Sequence, residues 1–135
     1  MTRILLAFGT TALGFLALDY LWLRYLALDM YRTELGGLLL AAPRPWPAVL
    51  FYFSYLVGML ILCVLPGLDA QDWTQAAFKG AVLGLVAYGA YDLTNLATLN
   101  GWSFKVTIID LLWGTVLTSF CSGLAAWSTQ AILTK

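Results

Sequence analysis

Four apolar stretches, at about residues 4–26, 46–65, 77–98 and 104–130, take up most of this 135-residue chain and leave only short connections between them. A helical span needs roughly 20 apolar residues to cross about 30 Å of hydrocarbon, because lipid offers the backbone no outside hydrogen-bond partner. The pattern predicts an all-α polytopic membrane protein. Its four transmembrane helices would form an up-down bundle, one transmembrane domain over residues 1–135. Only 10% of residues are charged, with zero net charge, against about 25% charged in soluble domains. Nothing in that balance suits nucleic acid, and no length is left for a soluble domain.

The first apolar run continues from Ile4 to about Leu26 and ends in Trp, Arg and Tyr, so it is read as a retained helix and not a cleaved signal peptide. The longest connection runs from Leu28 to Pro47. Within it, Tyr31 to Ala42 mixes Arg32 and Glu34 with an apolar run too short to span, which predicts a short interfacial or partly re-entrant helix. Pro43, Pro45 and Pro47 end that segment and start the second span. In the turn from Pro66 to Trp73, either Asp69 or Asp72 can cap the third helix. The tight turn at Asn100 and Gly101 makes its flanking helices antiparallel neighbours. Trp22, Trp46, Trp73, Trp102 and Tyr25 fall near the span ends, where interfacial aromatics belong.

Arg24, Arg32, Arg44 and Lys105 lie on one side, against Arg3, Lys79 and Lys135 on the other, so the positive-inside rule leans toward the first side being cytoplasmic and both termini outside. Cys63 and Cys121 lie deep in separate apolar runs and the chain has no histidine. Zinc and haem spacings are absent, and the thiols read as inert. No cofactor or metal site is expected.

Asp19, Asp92 and Asp110 interrupt the apolar runs. A carboxylate at bilayer depth costs about 2.5 to 3.5 kcal/mol and is kept mainly where it faces protein or water. Asp19 lies about seven residues before the end of span one, Asp92 about six before the end of span three, and Asp110 about six after the start of span four. At about 1.5 Å per residue these positions fall in one layer, on the order of 10 Å inside the face that carries the first and third connections. Tyr52, Ser54 and Tyr55 of span two join that layer. Tyr88 and Asn95 share the face of Asp92, and Thr107 and Gly114 share that of Asp110. The candidate ligand- or proton-binding residues are therefore Asp92, Asp110, Asn95, Asp19, Tyr88, Tyr55, Tyr52 and Thr107; none is assigned a catalytic role. Arg24 and Lys105 are placed to neutralise Asp19 and Asp110. Gly80 and Gly84, with Ser54 and Gly58 on span two, give the small-residue pattern of closely packed helices.

The segments YDLTNLATL (Tyr91 to Leu99), IDLLWG (Ile109 to Gly114), DYLWL (Asp19 to Leu23) and YFSYLVG (Tyr52 to Gly58) together resemble the small membrane proteins of domain-of-unknown-function family 2177. That resemblance covers nearly the whole chain. It implies a bacterial four-helix, multi-pass inner-membrane protein and no particular activity.

Three functions fit these residues. Carboxyls close together in low dielectric cannot all ionise, so the layer suits a pocket that binds a small amphiphile, lipid headgroup or cation, with proton-coupled transport as an extension. Four short helices enclose little on their own, which makes a homodimer the expected form of a transporter. A membrane-embedded lipid-modifying enzyme would have to rely on aspartate acid/base chemistry assisted by tyrosine, since histidine and a reactive thiol are missing. In a structural or accessory subunit, the same polar groups would only lock the helices together.

Overall fold

In the computed structural model, which describes residues Met1–Lys135, the chain is helical with no strand. Helix α1 spans Thr2–Leu26, its last turn widened into a π-turn at Trp22–Leu26. A short helix α2, Leu28–Leu35, ends at Gly36, whose φ of 43° favours a residue without a Cβ. Residues 36–44 then form an arm of one 3-10 turn, Gly36–Leu38, and irregular chain. Helix α3 is Pro45–Asp69, with Pro45 and Pro47 in its first turn, where a missing N–H costs nothing. Helices α4, Trp73–Thr98, and α5, Phe104–Leu133, complete the fold.

Helix α3 runs past the expected stop at Pro66. Its π-turn at Leu60–Val64 precedes the proline and lets Pro66 open a fresh α segment, Leu65–Asp69. Of the two candidate caps for α4, Asp72 is the one used: its Oδ1 accepts the Thr74 N–H at 2.9 Å. The adjoining Thr74 hydroxyl and N–H bonds hold the Asp72 carboxyl below its ordinary pKa. Ser103 caps α5 through the Val106 N–H at 3.1 Å. Gly101, at φ 76°, turns the chain between α4 and α5.

Three helices, α1, α3 and α5, are long and apolar enough to cross a membrane. Helix α4 is 26 residues long, but Gln75, Lys79, Asp92 and Asn95 dilute its apolar character. The outward faces carry exposed Leu13, Phe53, Phe78 and Leu112. Helices apolar on both their inner and outer faces suit lipid and not water.

Helix α5 packs along α4 and α1. One core cluster joins Ala7, Leu60, Val64, Leu68, Ala76, Ala125 and Ala126; the other joins Phe15, Tyr55, Leu56, Met59, Leu117 and Cys121. The glycines of α4 set the closest approach. A Cβ on Gly80 would lie 2.6 Å from the Thr118 carbonyl oxygen, Gly84 rests on the Gly114 carbonyl, and Gly114 lies under the Tyr88 ring. Gly58 has open space around it and Ser54 is exposed, so the small-residue seam lies between α4 and α5 and does not extend to α3. Arg3 reaches Asp69 at 2.5 Å, bringing the start of α1 beside the end of α3.

Candidate functional site

At the opposite end from Arg3, all three aspartates that interrupt the apolar runs are buried: Asp19 is 6% exposed, Asp92 0% and Asp110 9%. Their surroundings differ. Asp19, in α1, has both oxygens filled: Trp113 Nε1 donates to Oδ1 at 3.0 Å and the Tyr52 hydroxyl donates to Oδ2. Asp110, in α5, accepts the Tyr31 hydroxyl at 2.6 Å through Oδ1. Tyr31 in turn accepts the Trp22 indole N–H at 3.2 Å. Burial, and after it the Asp110 carboxylate, push the Tyr31 phenol well above its ordinary pKa, so Tyr31 stays a donor. Asp92, in α4, faces Asp110, and neither of its oxygens has a hydrogen-bond partner.

The Trp22 and Trp113 rings stack at 4.3 Å, with an interplanar angle of 8°. Each tryptophan follows an aspartate by three residues, in AspTyrLeuTrp at Asp19 and AspLeuLeuTrp at Asp110. The pairing is crossed: Trp113, from the Asp110 segment, serves Asp19, while Trp22, from the Asp19 segment, serves Asp110 through Tyr31.

Above this network lies a cleft of about 1080 Å³ between the helices and residues 36–44. Its floor includes Asp19, Asp110, Trp22, Tyr31, Tyr52 and Tyr88; Leu23, Leu38, Leu39, Leu40 and Phe51 form apolar wall, and Arg32 and Arg44 also line it. Helix α2 is tied down beside it by Ser103, which donates to Glu34 at 2.6 Å, and by Lys105 at 3.9 Å from the same carboxylate.

The sequence-derived candidates divide. Asp19, Asp110, Tyr52 and Tyr88 line the cleft. Asp92 is sealed behind Asp110. Tyr55 lies deeper, its hydroxyl 2.8 Å from Thr118 Oγ1 in the core. Thr107 is fully buried between the Trp102 indole N–H at 3.1 Å and the Ser103 carbonyl at 3.0 Å, and so braces the start of α5. Asn95 is half-buried and hydrogen bonds to no carboxylate. The three aspartates do not converge into a metal-holding trio. Arg24 sits over the Tyr25 ring and Lys105 beside Glu34, so neither neutralises Asp19 or Asp110; longer side chains near a helix end reach outward.

Tyr31, Trp22, Trp113, Arg32 and Arg44 were not among those candidates. The repeated Asp-x-x-Trp spacing is the signal that could have found the tryptophans, since positions three apart share a helix face. Tyr31 carries no such signal, because its role depends on how α2 folds back.

The family model described as "Predicted membrane protein (DUF2177)" matches residues 4–127. No curated protein matches the chain, and no solved structure matches it.

Proposed function

The chain belongs to the DUF2177 family of predicted membrane proteins, and from that premise we propose that it crosses the bacterial inner membrane four times as an up-down bundle and holds a small amphiphile in the cleft beneath residues 36–44. Helix α4 serves as the fourth span: it packs along α5, and its exposed positions include apolar Phe78, Val82, Leu85 and Val86.

One observation carries the assignment. A buried carboxylate, Asp110, forms part of the floor of a largely apolar cleft, with Tyr31 donating to one of its oxygens. Ligand sites combine such apolar walls with a few well-placed polar groups. Asp19 is different, because its filled oxygens make it a brace for α1, α3 and α5. Asp92 adds a proton. With no donor of its own and Asp110 opposite, the pair is best satisfied by one shared proton, which a cationic group entering the cleft would displace. That links occupancy to proton release and gives a basis for proton-coupled exchange.

Asp110→Asn tests the assignment. Native mass spectrometry of the full chain, gently extracted, should find the wild type carrying an amphiphile and the variant carrying about tenfold less, as for loss of a charge-assisted contact. Matching circular dichroism and thermal profiles would show that the variant folds. Equal retention, or no amphiphile on the wild type, would overturn it.

A further inference from the structure

We propose that the ligand is a zwitterionic amphiphile with an ammonium–phosphate headgroup, its ammonium held at Asp110 and its phosphate at Arg32 and Arg44; this rests on the cleft being a ligand site. The cleft carries two acids and two arginines, and its charges do not cancel one another. The ion pairs of the molecule are Arg3 with Asp69 and Lys105 with Glu34, so both cleft arginines lack an acidic partner. Asp19 is satisfied by neutral donors and Asp110 by one. A ligand bringing one positive and one negative group would offer each set a partner of opposite charge, which matters where unpaired charge is costly.

The floor suits an ammonium. Trp22, Tyr31, Tyr52 and Tyr88 surround the carboxylate region with aromatic rings, whose faces attract cations, most strongly out of water. The lining suits a phosphate, since a guanidinium presents a planar fork that matches its oxygens. Arg32 follows Tyr31 directly, and Tyr31 donates to Asp110, so consecutive residues of α2 supply a guanidinium and a contact to the carboxylate. Arg44 stands where the cleft gives way to α3, and the next residue begins a shallow apolar depression lined by Pro45, Trp46, Val49, Leu50 and Phe53. That depression offers a bed for a hydrocarbon tail. Exposed Tyr20, Tyr25 and Trp46 mark this end as the headgroup level of the bilayer.

Calorimetry on the full chain in a neutral maltoside detergent separates the alternatives, with four probes: dihexanoyl phosphatidylethanolamine, dihexanoyl phosphatidylglycerol, octyltrimethylammonium and free phosphoethanolamine. The phosphatidylethanolamine should bind about tenfold tighter than the other three, and Arg32→Gln with Arg44→Gln should bring it down to the alkylammonium level without changing the latter. Both arginines are exposed, and a thermal profile confirms folding; Arg44→Gln alone, outside any helix, serves as the second variant. If the alkylammonium matches the phosphatidylethanolamine, or the arginine variants change nothing, the cleft is a plain cation site and the proposal fails while the cleft assignment stands. Preference for phosphatidylglycerol, or equal binding of chain-free phosphoethanolamine, also overturns it. Binding of none of the four removes the cleft assignment as well.

Discussion

The two ends of this molecule solve the same packing problem in opposite ways. Around Arg3, Asp69 and Asp72 the helices close on small and aliphatic side chains, Ala7, Ala76, Ala125, Ala126, Val64 and Leu68, and α4 rests on α5 through Gly80. Around Asp19 and Asp110 the contacts are made by tyrosine and tryptophan, and a cleft stays open beneath the arm. Lipid tails are as apolar as leucine, so burying leucine drives little association; close backbone approach and hydrogen bonds must do it. The closed end uses the first device and the open end the second. Large rings linked by hydrogen bonds can hold helices at a distance, which small residues cannot, so the open end can hold a cavity without collapsing.

Breaking the closed end should have the largest effect. Gly80→Leu places a side chain where even a Cβ stands 2.6 Å from the Thr118 carbonyl oxygen and 2.8 Å from Ser122 Oγ. Because the obstruction includes backbone, α4 must move, and the cost should reach about 3 kcal/mol. Unfolding in mixed detergent measures it, with Gly58→Leu, which faces open space, as the control. Equal effects at both glycines would show that the closed end is not held by close approach.

The same contrast governs what the sequence revealed. Helices α1, α3 and α5 were legible because lipid demands long apolar runs, α4 less plainly because polar residues interrupt it, and the burial of Asp19, Asp92 and Asp110 followed from the cost of exposing charge in apolar surroundings. The seam between α4 and α5 was legible in the spacing of Gly80 and Gly84, whereas Gly58 looked alike and packs against nothing. A glycine records that contact is possible, not that a partner is present. Depth along a helix placed Asp92 and Asp110 at one level, yet gave no rotation, so Asp92 was expected in a shared pocket and lies sealed behind its neighbour. Tyr31 was hidden for another reason. The α2 segment is short and of mixed polarity, and its position comes from tertiary bonds such as Ser103 to Glu34, which no local pattern encodes.

The middle effect belongs to the open end. Tyr31→Phe keeps the ring but removes the hydroxyl that donates to Asp110 and accepts from Trp22. Hydrogen bonds to charged groups contribute about 1.5–3 kcal/mol in water-soluble folds and less between membrane helices, so about 1.4 kcal/mol, or tenfold, is the expected loss. It should appear as faster hydrogen exchange in residues 28–35, with residues 73–80 unchanged. If exchange rises equally in both, the two ends are one cooperative unit and the contrast between them is only one of composition.

The smallest effect returns to the closed end and concerns pH. The folded-state pKa of Asp72 is lowered by the Thr74 side-chain hydrogen bond and then by its backbone N–H. A lowered folded-state value means that the cap stabilises α4 above the unfolded carboxylate pKa and loses that contribution as pH falls through the folded one. The group is exposed, so the gain is slight. Asp72→Ala should therefore lower the thermal midpoint modestly at neutral pH, and the gap from wild type should shrink as pH falls below the ordinary carboxylate range. Exchange should quicken at residues 73–76 and stay constant at residues 28–35, because no bond connects the cap to the cleft network. A gap that persists unchanged in acid would mean that the cap stabilises α4 without drawing on the charge of Asp72.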